Sequence, residues 1–446
     1  MSEAVMIAPT KERIGAIRQR PGVASARFSI PPLPAPETVE ETGVPRTLLE
    51  DLALKTVCLE NELTLFTLAT KMALSSAVVD DLFQRLRKEQ LVEVKRVHLG
   101  TFSISLTSQG RTRAQECLAA NRYVGPAPVP FQQYVDRVRA QSVRSVQLRF
   151  ADVQRTLESL VLTKETLEQI GIAVLSGTSI VLYGPTGTGK TSIAEKIPGM
   201  YGDSVWIPHA IEVNGQIITI YDRAVHRSVE GCPVDHDSDA RWKLCERPRV
   251  VVGGELTLEM LDLQFNPVTG FYAAPLQLKA ANGVLIVDDF GRQRFRPEDL
   301  LNRWIVPLDR RIDFLTLAGG NKFEIPFDLL VVFATNLDLA KLSDEAFLSR
   351  IQNKIHVGNV TSEQFHDVFR GVCKQFHLDY DPMAVDHFIE VLRTELNQPL
   401  RPRYAHNIIQ QLCWEARFTG KQASLAHWAT ITRACRSYFL PPKPLE

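Results

Sequence analysis

One octapeptide stands out in this chain of 446 residues, and it reads Gly184-Pro185-Thr186-Gly187-Thr188-Gly189-Lys190-Thr191. It matches the phosphate-binding pattern G-x-x-x-x-G-K-[ST] at every specified position. Residues 179–183 before it predict a buried strand, and residues 191–196 after it predict the start of a helix. Glycines let backbone N–H groups curl around phosphate oxygens, and a helix N-terminus adds further unpaired N–H groups. The octapeptide therefore predicts a P-loop, and with it an α/β fold with a parallel sheet.

All eight residues of the octapeptide are candidate nucleotide-binding residues. Lys190 is expected to reach the β- and γ-phosphates, and the hydroxyl of Thr191 is expected to hold Mg²⁺. A Gly-rich turn that binds nothing is the alternative interpretation. That alternative does not explain why a lysine and a threonine follow the last glycine.

A second acidic element follows about a hundred residues later, as the P-loop chemistry requires. Residues 283–287 read as a buried strand that ends in Asp288 and Asp289. Ligands of open α/β sheets bind at the carboxyl edge of the parallel strands, which is where these carboxylates are expected. Asp288 is predicted to hold Mg²⁺, and Asp289 is predicted to act as the base that polarises the attacking water. Without the P-loop, a core strand ending in an acidic turn would be the better interpretation.

A third strand at 329–334 ends in Thr335 and Asn336. A P-loop, a downstream Asp-Asp pair and a strand ending in Ala-Thr-Asn, taken together, resemble an AAA+ ATPase. This resemblance covers about residues 150–440, and it implies that ATP and Mg²⁺ are the ligands. It also implies that Asn336 is the sensor 1 residue, which positions the water against the γ-phosphate.

The same resemblance assigns roles to arginines in two later segments. Residues 344–351 resemble the element that carries an arginine finger, so Arg350 is the candidate finger and would act on the nucleotide of a neighbouring subunit. Residues 400–406 resemble the start of the helical lid that carries sensor 2. Arg403 is the first candidate for that contact and Arg401 is the second. A shared site implies self-association, as a hexameric ring or a related oligomer.

Three segments around the acidic strand narrow the resemblance to MoxR-like ATPases. Residues 270–276 are similar to the entry segment of those enzymes, and 308–313 with 319–327 are similar to their hairpin before sensor 1. MoxR-like proteins are viewed as chaperones, so the resemblance implies an ATPase that remodels or matures a protein client. We weigh two alternatives: a DNA-bound transcriptional or genome-maintenance ATPase, and a nucleotide-gated switch with slow turnover.

Two departures from the family pattern bear on function. The family usually has Asp-Glu where this chain has Asp-Asp, so Asp289 is one methylene shorter and turnover is expected to be slow. The segment 207–252 is also longer than the family pattern leads us to expect. It contains four candidate zinc ligands, whose spacing fits no standard motif, so a reactive or structural role is favoured over zinc binding: His226, Cys232, His236 and Cys245.

The segment 44–124 resembles a winged helix-turn-helix, because three predicted helices precede a β-hairpin. Its third helix and hairpin carry five cations that could follow a phosphate backbone: Arg85, Arg87, Lys88, Lys95 and Arg96. Asp80 and Asp81, however, lie at the start of that helix, where they oppose binding to anionic DNA. Protein docking is therefore favoured over DNA binding.

The predicted domains are a disordered Pro-rich tail (1–43), the winged helix (44–124), a linker (125–150), the AAA+ α/β core (151–358) and the helical lid (359–446). Lys plus Arg equal Asp plus Glu at 51 each, so the chain has no overall basic field for nucleic acid or membrane. The sequence contains no apolar run of membrane-spanning length and no signal peptide, so membrane insertion is not expected. Seven scattered cysteines favour a reducing, cytoplasmic location.

Overall fold

The computed structural model describes residues 30–98, 101–229, 237–339, 350–420, 423, 425 and 428–439. The helices are α1 (Arg46–Glu60), α2 (Leu65–Met72), α3 (Ser76–Lys88), α4 (Ser108–Ala120), α5 (Phe131–Ala140), α6 (Phe150–Leu157), α7 (Lys164–Ser176), α8 (Lys190–Lys196), α9 (Leu276–Lys279), α10 (Pro297–Arg303), α11 (Ile305–Arg310), α12 (Ser362–Gln375), α13 (Pro382–Glu390), α14 (Pro402–Thr419) and α15 (Trp428–Tyr438). Within the described ranges, no helix combines the length and apolar character needed to cross a lipid bilayer.

The strands are β1 (Glu62–Thr64), β2 (Val92–His98), β3 (Thr101–Leu106), β4 (Val129–Pro130), β5 (Ser179–Tyr183), β6 (Ser204–Pro208), β7 (Ala210–Val213), β8 (Gln216–Thr219), β9 (Trp242–Glu246), β10 (Arg249–Val252), β11 (Gln264–Asn266), β12 (Phe271–Ala273), β13 (Val284–Val287), β14 (Ile312–Thr316), β15 (Lys322–Pro326), β16 (Leu330–Thr335) and β17 (Asn353–His356). They form two five-stranded sheets, one three-stranded sheet and two antiparallel pairs.

The central sheet carries the nucleotide site. Its strand order is β10-β13-β16-β5-β17, and every neighbouring pair is parallel. Strands β13 and β16 are buried along their whole length, because helices cover both faces of the sheet. One face packs against Ile193 and Ala194 of α8, and the other packs against Trp304, which follows α10. The predicted α/β core with a parallel sheet is confirmed.

The N-terminal unit contains α1 to α4 and the antiparallel sheet β1-β3-β2. Side chains of Thr64, Ser75 and Thr107 accept hydrogen bonds from backbone N–H groups at the starts of α2, α3 and α4, so local sequence sets where these helices begin. The order of elements follows the predicted order of helices and hairpin. Its interpretation as a winged helix stays a prediction.

A second β-rich unit, formed by β4, β6 to β9, β11 and β12, contains most of the unusually long segment 207–252. Strands β7 and β8 form a hairpin inside the mixed sheet β11-β12-β8-β7-β4, and β6 pairs with β9. The region predicted as a linker, 125–150, differs from that expectation. It supplies β4, which pairs with β7, and α5, whose Tyr134 is buried in the core of this unit.

The part of the predicted tail that the structure describes also differs from the expectation of disorder. Residues 1–29 lie outside the described residues, but residues 30–43 pack against the rest of the chain. Arg137 Nη1 donates a 2.9 Å hydrogen bond to the carbonyl of Pro31, and Ser75 Oγ donates one of 2.7 Å to the carbonyl of Pro36. These backbone contacts hold the Pro-rich segment against α5 and the start of α3.

The C-terminal unit consists of α12 to α15 around its own apolar core. Phe365, Phe369 and Phe388 are fully buried and pack against one another at centroid distances between 5.7 and 6.1 Å. A π-helical turn at Val391–Glu395 follows α13. The strand before this unit, β17, still belongs to the central sheet, so the bundle begins after it.

Candidate nucleotide-binding site

The predicted P-loop connects β5 to α8 at the carboxyl edge of the central sheet. Gly184 has a φ of 138°, and a Cβ there would lie 2.4 Å from the carbonyl oxygen of Val357. Gly189 has a φ of 101°, and a Cβ there would meet nothing within 4 Å. The loop thus packs tightly against β17 on one side and is open on the other. The loop leads directly into the start of α8, and a Gly-rich loop before a helix N-terminus is an arrangement that binds anions.

Side chains of the loop stabilise its curvature from within. Lys190 Nζ donates hydrogen bonds of 2.9 Å to the carbonyl of Gly184 and 2.7 Å to that of Pro185. Thr188 Oγ1 donates one of 3.0 Å to the same Pro185 carbonyl. Burial lowers the pKa of Lys190, and the nearby carboxylate of Asp289 opposes that shift. A buried ammonium group beside the loop is a strong partner for phosphate oxygens.

Thr191 and Asp288 meet across the mouth of the loop. The Thr191 hydroxyl donates a 3.0 Å hydrogen bond to Asp288 Oδ1. Asp288 directly follows β13, and its N–H donates to the carbonyl of Val252 on β10, at 2.8 Å. A hydroxyl and a carboxylate at one point supply the hard oxygen ligands that Mg²⁺ prefers. These residues therefore fit the predicted magnesium site.

Asp289 is exposed beside Asp288 and has a φ of 46°. The left-handed region is uncommon for residues other than glycine, although aspartate tolerates it better than most. Its N–H donates a 3.0 Å hydrogen bond to Asp288 Oδ1, and the next N–H, of Phe290, donates to the carbonyl of Ala334. The turn is thus held between β13 and β16, and Asp289 itself is exposed.

Asn336 follows β16 and lies next to the P-loop. Its Nδ2 donates a 3.0 Å hydrogen bond to Thr186 Oγ1. Among the described residues, none donates a hydrogen bond to its buried Oδ1. The amide therefore contacts the loop with one end and keeps an acceptor for a polar group in the site.

The C-terminal unit contacts the P-loop through the predicted sensor 2 segment. The N–H of Arg403 donates a 3.2 Å hydrogen bond to the carbonyl of Gly187. A Cβ at Gly187 would lie 3.2 Å from Cβ of Arg403, so the two backbones approach closely. The guanidinium of Arg401 lies 5.8 Å from the ring centroid of Tyr404. Both candidate arginines are thus at the junction of the loop and α14.

A cavity of about 770 Å³ extends from the P-loop into the cleft between the central sheet and the C-terminal unit. Its lining includes apolar side chains that sequence analysis did not identify, those of Leu160, Val161, Leu162, Val368 and Val372. No motif marks these residues, because they come from a loop and a helix two hundred positions apart. A cavity lined by both polar and apolar side chains suits a nucleotide, whose phosphates are charged and whose base is flat and weakly polar.

Arg350 lies away from this cavity. Its carbonyl accepts a 3.4 Å hydrogen bond from Ser179 Oγ, at the start of β5. Since the P-loop follows the other end of β5, the backbone of Arg350 is about 13 Å from the loop along the strand. Its Nε donates a 3.2 Å hydrogen bond to Asp309 Oδ2. Arg350 is therefore at the edge of the sheet opposite its own chain's loop.

The candidate zinc ligands do not form a cluster in the described part of the chain. His226 uses both ring nitrogens, accepting from the N–H of Asp222 at 2.9 Å and donating to the carbonyl of Lys279 at 2.8 Å. Cys245 is buried in β9, and burial raises the pKa of its thiol to about 12. Cys232 and His236 lie outside the described residues. Among the residues described, no group of three or more metal-binding side chains occurs.

Comparison with known proteins adds a family match and structural neighbours. A family model described as a domain of unknown function (DUF8689) matches residues 361–437, the helical C-terminal unit. No curated protein matches the chain.

Two solved structures from Thermotoga maritima match parts of this chain. The first is the Holliday junction branch migration motor RuvB, at 12% identity and a TM-score of 0.36, over 62% of this chain and 69% of that chain. The second is domain III of the replication initiation protein DnaA, at 12% identity and a TM-score of 0.38, over 66% of this chain and 100% of that chain. Both TM-scores are low, so the proposed function rests on the geometry of this chain and not on these two structures.

Proposed function

We propose that the chain is an AAA+ ATPase that hydrolyses ATP to remodel or mature a protein client. The observation that carries this proposal is the 3.0 Å hydrogen bond between Thr191 and Asp288, beside the buried ammonium group of Lys190. A Gly-rich turn that binds no ligand does not explain why these three side chains lie together. Nucleotide hydrolases with a P-loop use a lysine for the phosphates and a hydroxyl with a carboxylate for Mg²⁺.

The residues around the loop suit hydrolysis of the terminal phosphate. Lys190 and the loop N–H groups would stabilise the negative charge on the γ-phosphate oxygens. Asp289 would accept a proton from water as the water oxygen bonds to the γ-phosphorus. The bond from that phosphorus to the β–γ bridging oxygen breaks, so ATP and water become ADP and inorganic phosphate. Asn336 would orient the water, and bound Mg²⁺ would neutralise phosphate charge.

The position of Arg350 supports a site shared between subunits. Its backbone is at the opposite edge of the sheet from its own P-loop, so its guanidinium is poorly placed to act on its own nucleotide. In a ring or helical oligomer, that edge can face the loop of the next copy. An arginine supplied in this way stabilises transition-state charge. We therefore propose self-association, with ATP bound between copies.

Force would pass from the nucleotide through two elements. The α14 helix lines the cavity and begins at the Arg403 contact with Gly187, so changes at the phosphates can shift the C-terminal unit as a lid. The β14–β15 hairpin is anchored by Asp313, whose Oδ1 accepts a 2.6 Å hydrogen bond from Arg303 Nη1. Its tip is the proposed contact with the client.

The charges on the N-terminal unit favour protein docking over DNA binding. Arg85 lies between Glu50 and Glu89, at 3.5 and 3.2 Å, and Lys95 lies 2.8 Å from Glu93. Cations that pair with carboxylates on the same surface have less to gain from phosphates. A DNA-bound ATPase remains the second candidate, supported by the exposed Arg87 and Lys88 on α3. A slow nucleotide-gated switch is the third, because Asp289 replaces the usual glutamate.

Steady-state phosphate release tests the proposal and separates the candidates. We expect ATP turnover that depends on Mg²⁺, rises with protein concentration as copies associate, and is lost in Lys190→Ala. The matched control is Lys164→Ala, because Lys164 is an exposed lysine on α7. Stimulation by duplex DNA would favour the DNA-bound ATPase. ATP binding without turnover, with and without candidate clients, would favour the switch.

A further inference from the structure

The side chain of Gln293 is built into the turn that carries the two aspartates. Its Nε2 lies 3.1 Å from the carbonyl oxygen of Asp288, 3.4 Å from that of Asp289 and 3.3 Å from that of Gly253. Its Oε1 accepts a 2.8 Å hydrogen bond from the N–H of Gly291. Only this orientation of the amide places donors against carbonyls and an acceptor against an N–H group. Both ends of the side chain are therefore used.

These contacts join the acidic turn to the neighbouring strand. Gly253 directly follows β10, so Gln293 connects the end of β10 to the turn after β13. The residues on either side, Arg292 and Arg294, are exposed, whereas Gln293 is half-buried. The chain thus directs one side chain of this loop inward and its two neighbours outward. The inward one is an uncharged amide that matches its backbone partners.

The backbone conformation of the turn requires support from neighbouring residues. Asp289 has a φ of 46°, and backbone conformations of this kind persist only where the surroundings hold them. The N–H of Phe290 is held by β16 on one side of the turn. On the other side, Gln293 Nε2 lies 3.1 Å from the carbonyl oxygen of Asp288, and it shares the carbonyl of Asp289 with the N–H of Arg292, which donates a 3.0 Å hydrogen bond. The backbone that carries the Asp289 carboxylate is therefore held in part by the Gln293 amide.

We propose that Gln293 is the positioning residue for the base Asp289. It does not touch substrate; it keeps the carboxylate of Asp289 aimed at the water that attacks the γ-phosphorus. This inference rests on the proposed function, because it assumes that Asp289 acts as the base. It predicts a loss in the chemical step with little change in nucleotide affinity, since the hydrogen bonds of Gln293 described above join the acidic turn and Gly253 and do not involve the P-loop.

The test compares three variants of the full chain by single-turnover hydrolysis of labelled ATP and by nucleotide titration. Gln293→Met keeps the length of the side chain and removes its hydrogen bonds. Gln293→Glu keeps an acceptor for Gly291 and places an oxygen against the three carbonyls. Both are expected to hydrolyse ATP about 10- to 100-fold more slowly, the cost of misplacing a reacting group by roughly 1 Å. Their nucleotide Kd should stay within about twofold of the parent's value, because a change that acts on the chemical step alone leaves ground-state binding unaltered. The control is Arg294→Ala, an exposed neighbour that should match the parent.

A second comparison distinguishes positioning from a general structural role. In an Asp289→Asn background, Gln293→Met should leave the slow residual rate unchanged within about twofold, because its effect acts through the carboxylate that is already gone. The same fold loss in both backgrounds, or a parental rate in both Gln293 variants, would overturn the inference alone. A loss of nucleotide affinity as large as the loss of rate would also overturn it. A parent chain without ATP turnover would overturn the proposed function and this inference with it.

Discussion

Thr191 and Asp288 are 97 positions apart in the chain, and their side chains lie 3.0 Å apart, from Oγ1 to Oδ1. Thr191 lies in the first turn of α8, and Asp288 directly follows β13, a strand two places along the sheet from β5. Parallel strands bring these chain positions to the same edge, so each residue supplies half of one oxygen-rich site. The predictions below test what that site does.

Lys190→Ala should weaken nucleotide binding by about 100-fold or more, because it removes a charge-assisted contact to two phosphates. Thermal unfolding should change little, since the hydrogen bonds that Lys190 donates to described residues go to carbonyls of its own loop. Titration with a fluorescent ATP analogue and circular dichroism melting measure the two effects. Parental affinity in a folded variant would contradict the P-loop assignment.

Asp289→Asn should bind ATP with parental affinity and stall before hydrolysis, because an amide accepts a proton far less readily than a carboxylate. Asparagine also tolerates the positive φ at this position, so the substitution should leave the turn intact. Quantifying bound nucleotide by chromatography after incubation would show ATP in the variant and ADP in the parent. Hydrolysis at the parental rate would exclude Asp289 as the base.

Asp289→Glu should keep or raise turnover, because the carboxylate gains one methylene of reach. Glutamate is less suited than aspartate to a φ of 46°, so the melting temperature should fall slightly. The steady-state rate and the melting curve, measured on the same preparation, check both parts. A tenfold loss of rate would indicate that the site is shaped for aspartate.

Arg350→Ala should retain ATP binding and lose hydrolysis by about 1,000-fold, the usual contribution of an arginine finger. Mixing it with Lys190→Ala subunits should restore part of the activity, because some interfaces then pair an intact loop with an intact Arg350. Phosphate release from the mixture, against each variant alone, is the measurement. The absence of restoration, with Arg350→Ala hydrolysing normally as a monomer, would contradict a shared site.

Asp80→Asn combined with Asp81→Asn should raise nonspecific affinity for duplex DNA without creating sequence preference. Asp81 forms a 2.9 Å ion pair with Arg46, so the substitution also removes a partner from that cation. For the parent chain, log affinity should fall only shallowly with log salt, because few phosphates are neutralised. Fluorescence anisotropy over a salt series measures both. Tight, sequence-selective binding by the parent would make the DNA-bound ATPase the leading candidate.

Two parts of the fold illustrate what could be predicted. The parallel core was predicted because 179–183, 283–287 and 329–334 are continuous runs of apolar β-formers, which only a sheet covered on both faces can bury. The second β-rich unit could not be predicted, because its strands have two to five residues and take their partners from distant segments. The predicted linker shows the same limit, since β4 becomes a strand only by pairing with β7.

The candidate site likewise has parts that the sequence determined and parts that only the tertiary structure decided. The sequence by itself determined the P-loop and the acidic pair, because each is a contiguous run whose chemistry follows from adjacent residues and from the strand beside it. Their catalytic roles, and those of Asn336 and Arg403, stay predictions. Only the tertiary structure decided which distant groups complete the site: the apolar walls from 160–162 and α12, and the Gln293 amide against three carbonyls. These contacts depend on how helices and strands pack, and packing joins residues that leave no local pattern in the chain.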